Sequence, residues 1–117
     1  MSYDVDLCDP VSGKVLETDE AHQIRGGTYR VGGSSELSLN ITYNYGPRIY
    51  SVLEGGIPGL EGKTGAETLP LLKSAAEKLR NDTSENYWEA TEGNAKRAIL
   101  GLVAFATMRP DGIWRVS

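Results

Sequence analysis

The apolar residues of this sequence change their spacing near the middle of the chain. Up to about residue 44 they alternate with polar residues, and from about residue 67 they recur every three or four positions. Alternation is typical of a half-buried β-strand, and the longer spacing is typical of an amphipathic α-helix. A chain of 117 residues has the length of one domain. The sequence therefore predicts one α+β domain over residues 1–117, with a mostly antiparallel sheet covered on one face by two or three helices.

Strands are predicted throughout the first half of the chain. The stretch SYDVDLC places Tyr3, Val5 and Leu7 on one face, and the segment KVLET is expected to return beside it as a hairpin after the turn DPVSGK. A short strand is expected at 27–31, between glycine-rich turns. The clearest strand spans 36–44, and its apolar face consists of Leu37, Leu39, Ile41 and Tyr43.

Helices are predicted in the second half. GPRIYSVLEGG predicts a short helix. AETLPLLKSAAEKLRND predicts an amphipathic helix that becomes regular at about Glu67, because Pro70 disfavours an earlier start although Thr64 has capping-box spacing. NAKRAILGLVAFATM predicts a helix from about Gly93 that stops before Pro110. The closing IWRVS predicts a strand beside the N-terminal one, and NDTSENYWEATEGN is expected to be the least structured stretch.

Charge and cysteine content exclude several classes of protein. The chain has 16 acidic and 12 basic residues, a net charge of -4, which disfavours uniform coating of a nucleic acid. Its single cysteine, Cys8, excludes an internal disulfide and a multi-cysteine zinc site, and points to a reducing compartment. The N-terminus lacks the pattern of a signal peptide, and the longest apolar run is too short to span a bilayer. We therefore expect a cytoplasmic protein with no membrane segment.

Few residues could support catalysis. His22 is the only imidazole, in a polar stretch, and Cys8 is expected to be a small buried residue at a strand end. Asp4 and Asp6 share one face of the first strand and could bind a divalent cation, but no third ligand accompanies them. We expect no catalytic residues, no metal and no cofactor.

The glycine-rich loop GLEGKTG has part of the pattern of a phosphate-binding loop. It contains Gly62, Lys63 and Thr64 and leads into a helix, but it lacks the full Walker spacing. The N–H groups at the start of that helix could meet an anion. The capping role of Thr64 explains the same residues equally, so both interpretations stay open.

The segment ELSLNITYNYGPRIY combines aromatic, amide and arginine side chains where a strand ends. These residue types form interface hot spots and stack on planar ligands. The simpler explanation places Tyr43 in the core, packs Tyr45 and Tyr50 under loops and leaves Arg48 in solvent, but it explains the uncharged strand face less well. The predicted partner-binding residues are Asn40, Asn44, Tyr45, Arg48, Tyr50 and, in the acidic loop, Tyr87 and Trp88.

The combination of NITYNY, GIPGLEGKTGAETLPLLKSA and a closing WRVS resembles a family of small accessory proteins of bacteriophages and prophages. The likeness covers about 36–80 and 93–117, whereas GPRIY departs from the aromatic-rich versions of that family. The resemblance implies a viral accessory protein acting inside a bacterial cell. It supplies no catalytic residues.

Three functions follow as expectations. The resemblance implies stoichiometric binding that inhibits or redirects a host or defence protein, as anti-CRISPR and other anti-defence proteins do. The alternative is sequestration of a nucleotide or other small signalling molecule, with Lys63 and Thr64 holding phosphate. The second alternative is a small metal-assisted hydrolase using Asp4 and Asp6. Self-association through the strand 36–44 is also open, since an edge strand can pair with a second copy.

Overall fold

The computed structural model describes residues 1–22, 34–86 and 88–117. It has the predicted α+β architecture, with three α-helices packed against two antiparallel sheets. The first strand, β1 (Ser2–Cys8), is the middle strand of the larger sheet. Its neighbours are β4 (Ser38–Thr42) and the last strand, β5 (Ile113–Val116). The closing segment IWRVS therefore docks beside the N-terminal strand, as its pattern predicts.

The smaller sheet pairs β2 (Glu17–His22) with β3 (Ser34–Glu36). The expected hairpin between β1 and KVLET forms only at its base, where Cys8 faces Val15, because the returning chain then turns away to pair with β3. The predicted strand 36–44 is likewise divided, since the chain bends at Leu37 between β3 and β4. The strand expected at 27–31 lies outside the described residues.

Three leucine backbones join the two sheets at this division. The N–H of Leu7 donates to the carbonyl of Leu37 at 2.9 Å, Leu37 donates to Leu16 at 2.8 Å, and Leu16 donates back to Leu7 at 2.9 Å. All three side chains are buried. This leucine ring satisfies the backbone groups that the bend takes out of the regular ladders, which otherwise would carry the cost of buried unpaired polar groups.

The helices are α1 (Gly46–Tyr50), α2 (Gly65–Glu77) and α3 (Glu92–Met108). The short α1 and the long α3 lie where the sequence predicts them. None of the helices in the described ranges is long and apolar enough to cross a membrane.

Helix α2 begins earlier than expected and contains Pro70. Thr64 and Glu67 form a complete capping box at its start. The N–H of Gly65 donates to the carbonyl of Gly112 and that of Ala66 to the carbonyl of Pro110, both at 2.9 Å. These contacts with the turn before β5 hold the first turn in helical form. Proline removes one hydrogen bond to the carbonyl of Ala66, which is on the exposed side of the helix.

Trp114 of β5 links the sheet to α2. It is fully buried, and its indole N–H donates to the Thr68 hydroxyl at 2.7 Å. Its backbone N–H donates to the carbonyl of Lys63, and its carbonyl accepts from the N–H of Gly62, both at 2.9 Å. The outer edge of β5 is therefore covered by the loop that leads into α2, and is not open for pairing with another chain.

Replacing Thr68 with valine keeps the side-chain volume but removes the acceptor of the buried indole N–H. We expect Thr68→Val to lower the free energy of unfolding by about 1–3 kcal/mol, the cost of an unsatisfied buried donor. Guanidinium denaturation of the purified protein measures it. Thr107→Val is the matched control, since the exposed Thr107 hydroxyl donates to the carbonyl of Val103 one turn earlier in α3 and has no other partner in the part of the chain that the structure describes. Equal losses in the two variants would contradict the role given to the indole bond.

Candidate functional site

The polar face of β4 is explained by pairing across the sheet. Asn40 lies opposite Asp4, and its Nδ2 donates to the Asp4 carboxylate at 2.9 Å and to Ser2 Oγ at 2.7 Å. Ser38 lies opposite Asp6 and donates its hydroxyl to that carboxylate. Uncharged side chains therefore occur on β4 because they bind the two carboxylates of β1. Asn40, a predicted partner-binding residue, is already engaged within the sheet.

Asn44 and Arg48 connect the end of β4 to the loop before α3. Asn44 Nδ2 donates to the carbonyl of Trp88 at 2.8 Å, and Arg48 Nε donates to the carbonyl of Ala90 at 3.0 Å. The structure thus brings together the two segments that the sequence suggests as binding surfaces. Both side chains are exposed, but these donors hold the loop in place, so Asn44 and Arg48 act first as positioning residues.

The segments 84–86 and 88–91 contain no helix or strand, as expected for the least structured stretch, and one buried side chain bonds their backbone. Asn94, only 3% exposed, donates through Nδ2 to the carbonyls of Asn86 and Glu89 at 3.1 and 3.0 Å. Its Oδ1 accepts from the N–H of Ser84 at 3.0 Å. Tyr87 lies outside the described residues. Trp88 is half exposed, at 53%, on a loop whose backbone is held from two sides.

Three tyrosines lie beside one another near the start of β1. The rings of Tyr3 and Tyr43 are 4.4 Å apart between centroids and tilted by 56°. Burial raises the pKa of the Tyr3 phenol, and the nearby Tyr50 and Tyr43 raise it further. Tyr43 and Tyr50 remain 42% and 53% exposed. Trp88 lies on the adjoining loop, whose backbone carbonyl accepts from Asn44. We call Tyr43, Tyr50 and the half-buried Tyr3, together with Trp88 on this loop, the aromatic patch.

Tyr45 does not belong to the surface. It is 2% exposed, and burial raises the pKa of its phenol. The strand ends at Thr42, whose side chain caps a 3-10 turn over Tyr43–Tyr45. The turn changes the direction of successive side chains, so Tyr43 faces solvent and Tyr45 enters the core. The predicted partner-binding role of Tyr45 and the alternative burial of Tyr43 are both corrected by this geometry.

The backbone of the loop Gly62–Lys63–Thr64 is not arranged to receive an anion. The N–H of Gly62 donates to Trp114 and that of Lys63 to Leu60, at 2.9 and 3.0 Å. The N–H of Thr64 donates to the Glu67 carboxylate at 2.7 Å. The amide groups that the phosphate hypothesis requires are therefore engaged, and a carboxylate already occupies the helix start. The Lys63 side chain remains exposed.

The side chains considered for catalysis are buried or form contacts within the fold. His22 donates through Nε2 to the carbonyl of Glu36 at 2.6 Å, and its ring centroid lies 5.2 Å from that of Phe105. Cys8 is 3% exposed. Within 1–22, 34–86 and 88–117, no three histidine, cysteine or acidic side chains are grouped so that they could hold a metal ion. Asp4 and Asp6 instead accept the hydrogen bonds of β4.

A scan against protein-family models and searches of curated proteins and of solved structures gave no match to this chain.

Replacing Asn94 with alanine leaves the Ser84 N–H without its acceptor and two loop carbonyls without their donor. We expect Asn94→Ala to cost about 1–3 kcal/mol of unfolding free energy and to accelerate hydrogen exchange at the Ser84 amide. Amide exchange followed by NMR measures the second effect. Asn81→Ala is the control, because the exposed Asn81 side chain makes no hydrogen bond to any described residue. An unchanged rate of amide hydrogen exchange at Ser84 in Asn94→Ala would show that Asn94 does not hold the loop in place.

The Cys8 thiol should be unreactive in the native protein. Burial raises its pKa, so the reactive thiolate is scarce at neutral pH, and the surrounding core excludes reagents. We expect negligible reaction with Ellman's reagent at pH 8 and complete reaction in guanidinium. Fast reaction of the folded protein would show that Cys8 is accessible and return it to the candidate nucleophiles.

Proposed function

We propose that the protein acts by stoichiometric binding of another protein through the aromatic patch. The observation that carries the proposal is the exposure of Tyr43, Tyr50 and Trp88 on backbone segments that hydrogen bonds hold together. Tyrosine and tryptophan dominate the energetics of protein interfaces because they bury a large area with few rotatable bonds. A held backbone also reduces the ordering cost of association.

The geometry supports binding in preference to catalysis. The described residues place His22 and Cys8 in structural contacts and engage Asp4 and Asp6 within the sheet. By contrast, the aromatic patch combines apolar rings with phenol hydroxyls and the neighbouring Arg48, which are enriched in the desolvated centres of interfaces. The partner we propose is a host or defence protein that is inhibited or redirected. This choice rests on the resemblance of NITYNY, GLEGKTGAE and WRVS to phage accessory proteins.

Alanine substitution in the patch should weaken capture without unfolding the protein. We expect Tyr43→Ala, Tyr50→Ala or Trp88→Ala to lower partner affinity at least about 30-fold at a hot-spot position. Tagged variants are compared with the parent protein in affinity capture from bacterial lysate, and the purified pair is then measured by calorimetry. Leu100→Ala is the matched control, since Leu100 is a similarly exposed apolar residue, at 47%, on α3.

Melting temperatures and light scattering complete this test. Each patch variant should melt within a few degrees of the parent, because about half of each removed side chain is already exposed to solvent. A large fall in melting temperature would assign the rings to stability instead. If all three variants still capture the partner, the proposal is overturned. If light scattering shows that the parent protein is a dimer and the variants are monomers, the partner at the patch is a second copy of this chain.

A further inference from the structure

A cleft of about 460 Å³ lies between α2 and the turn that follows α1. Its volume falls within the range of about 300–1,000 Å³ typical of small-molecule sites. Leu71, Ser74 and Lys78 line one wall, since positions separated by three and four residues share a face of a helix. Lys63 also contributes to the lining. The glycine-rich loop therefore contributes the Lys63 side chain to the cleft, although its backbone amides are engaged within the fold.

The opposite wall is the backbone of a tight turn. Gly55 has a φ of +78° and lies close to the short 3-10 helix Ile57–Leu60 that follows it. A Cβ at Gly55 would be 3.3 Å from the Cα of Gly59. A left-handed conformation and this close approach both require glycine. Val52 and the buried Leu53 add apolar surface to this wall.

The charges of the cleft favour an anion. Lys63 and Lys78 form no ion pair with a described residue, whereas Arg80 pairs with Glu92 and Arg109 with Asp111. Among the described residues of the lining, Glu54 is the one acidic side chain against two lysines, so positive charge exceeds negative charge there. Lysine binds phosphate as a mobile point charge, and two lysines match the charge of a phosphate monoester. Ser74 supplies a hydroxyl donor and Leu71 an apolar surface beside them.

We propose that this cleft binds a small organic phosphate of the nucleoside or sugar phosphate type. Lys63 and Lys78 hold the phosphate, Leu71 and Val52 contact the less polar part of the ligand, and the Glu54 carboxylate accepts a hydrogen bond from a ligand hydroxyl or amine. The site is distinct from the aromatic patch and does not depend on the protein-binding function. It also differs from the Gly62–Thr64 backbone, whose amides are engaged within the fold.

Calorimetric titration of the full chain with AMP and with glucose 6-phosphate tests the proposal. Inorganic phosphate and adenosine are titrated in parallel to separate the contributions of the phosphate and of the base and sugar. We expect at least one phosphate monoester to bind with a dissociation constant below about 1 mM, an ordinary value for a partly open site. Adenosine should bind at least about tenfold more weakly than AMP, because it lacks the charge-assisted contacts.

Lys63→Ala and Lys78→Ala should each weaken binding by about tenfold or more, as expected for a lost charge-assisted hydrogen bond. Lys73→Ala is the matched control, since it removes the same charge from an exposed position of α2 outside the cleft. The three variants should melt like the parent without ligand. Failure of both monoesters to bind overturns the proposal. So does equal weakening in all three variants, which would indicate nonspecific attraction, or equal binding of adenosine and AMP.

Discussion

The contact between Trp114 and Thr68 is the interaction on which the arrangement of sheet and helices depends. It is a directional bond inside an apolar core, so it fixes where α2 lies relative to β5 as well as contributing stability. The backbone of Trp114 also binds the loop before α2, where it accepts from the Gly62 amide and donates to the Lys63 carbonyl. Together with the bonds of the Lys63 amide to Leu60 and of the Thr64 amide to Glu67, this contact engages the three loop amides, whereas the Lys63 side chain stays exposed.

Polar residues near the aromatic patch serve mainly inside the molecule. Asn94 organises the loop of Trp88 from beneath, and Asn44 and Arg48 hold it from the side of α1. This division of roles has a physical basis. Amide groups are costly to bury without partners, so they are suited to joining backbone segments, whereas an exposed aromatic ring gains most when a second surface covers it. A partner would therefore meet rings carried on backbone that these hydrogen bonds already hold in place.

The local spacing of apolar residues predicted β1, α3 and β5, because each of these elements buries one face and the apolar residues of its sequence lie on that face. The early start of α2 could not be predicted in the same way, since it depends on carbonyls at Gly112 and Pro110 that are distant in sequence. The order of the Trp88 loop depends similarly on Asn94. Tyr43 and Tyr45 exchanged their expected environments because a 3-10 turn begins one residue before the alternation in the sequence ends.

The leucine ring described above bears on how the chain folds. Leu7 and Leu16 are near neighbours in sequence, so the turn between them can bring their backbones together early, while Leu37 has to arrive across a longer loop. The two bonds that involve Leu37 then form together, so we expect the junction of the two sheets to form cooperatively and late. Since every bond in the ring is between main-chain atoms, most side-chain substitutions would leave it intact, and proline at any of these three positions would remove a donor that nothing else supplies.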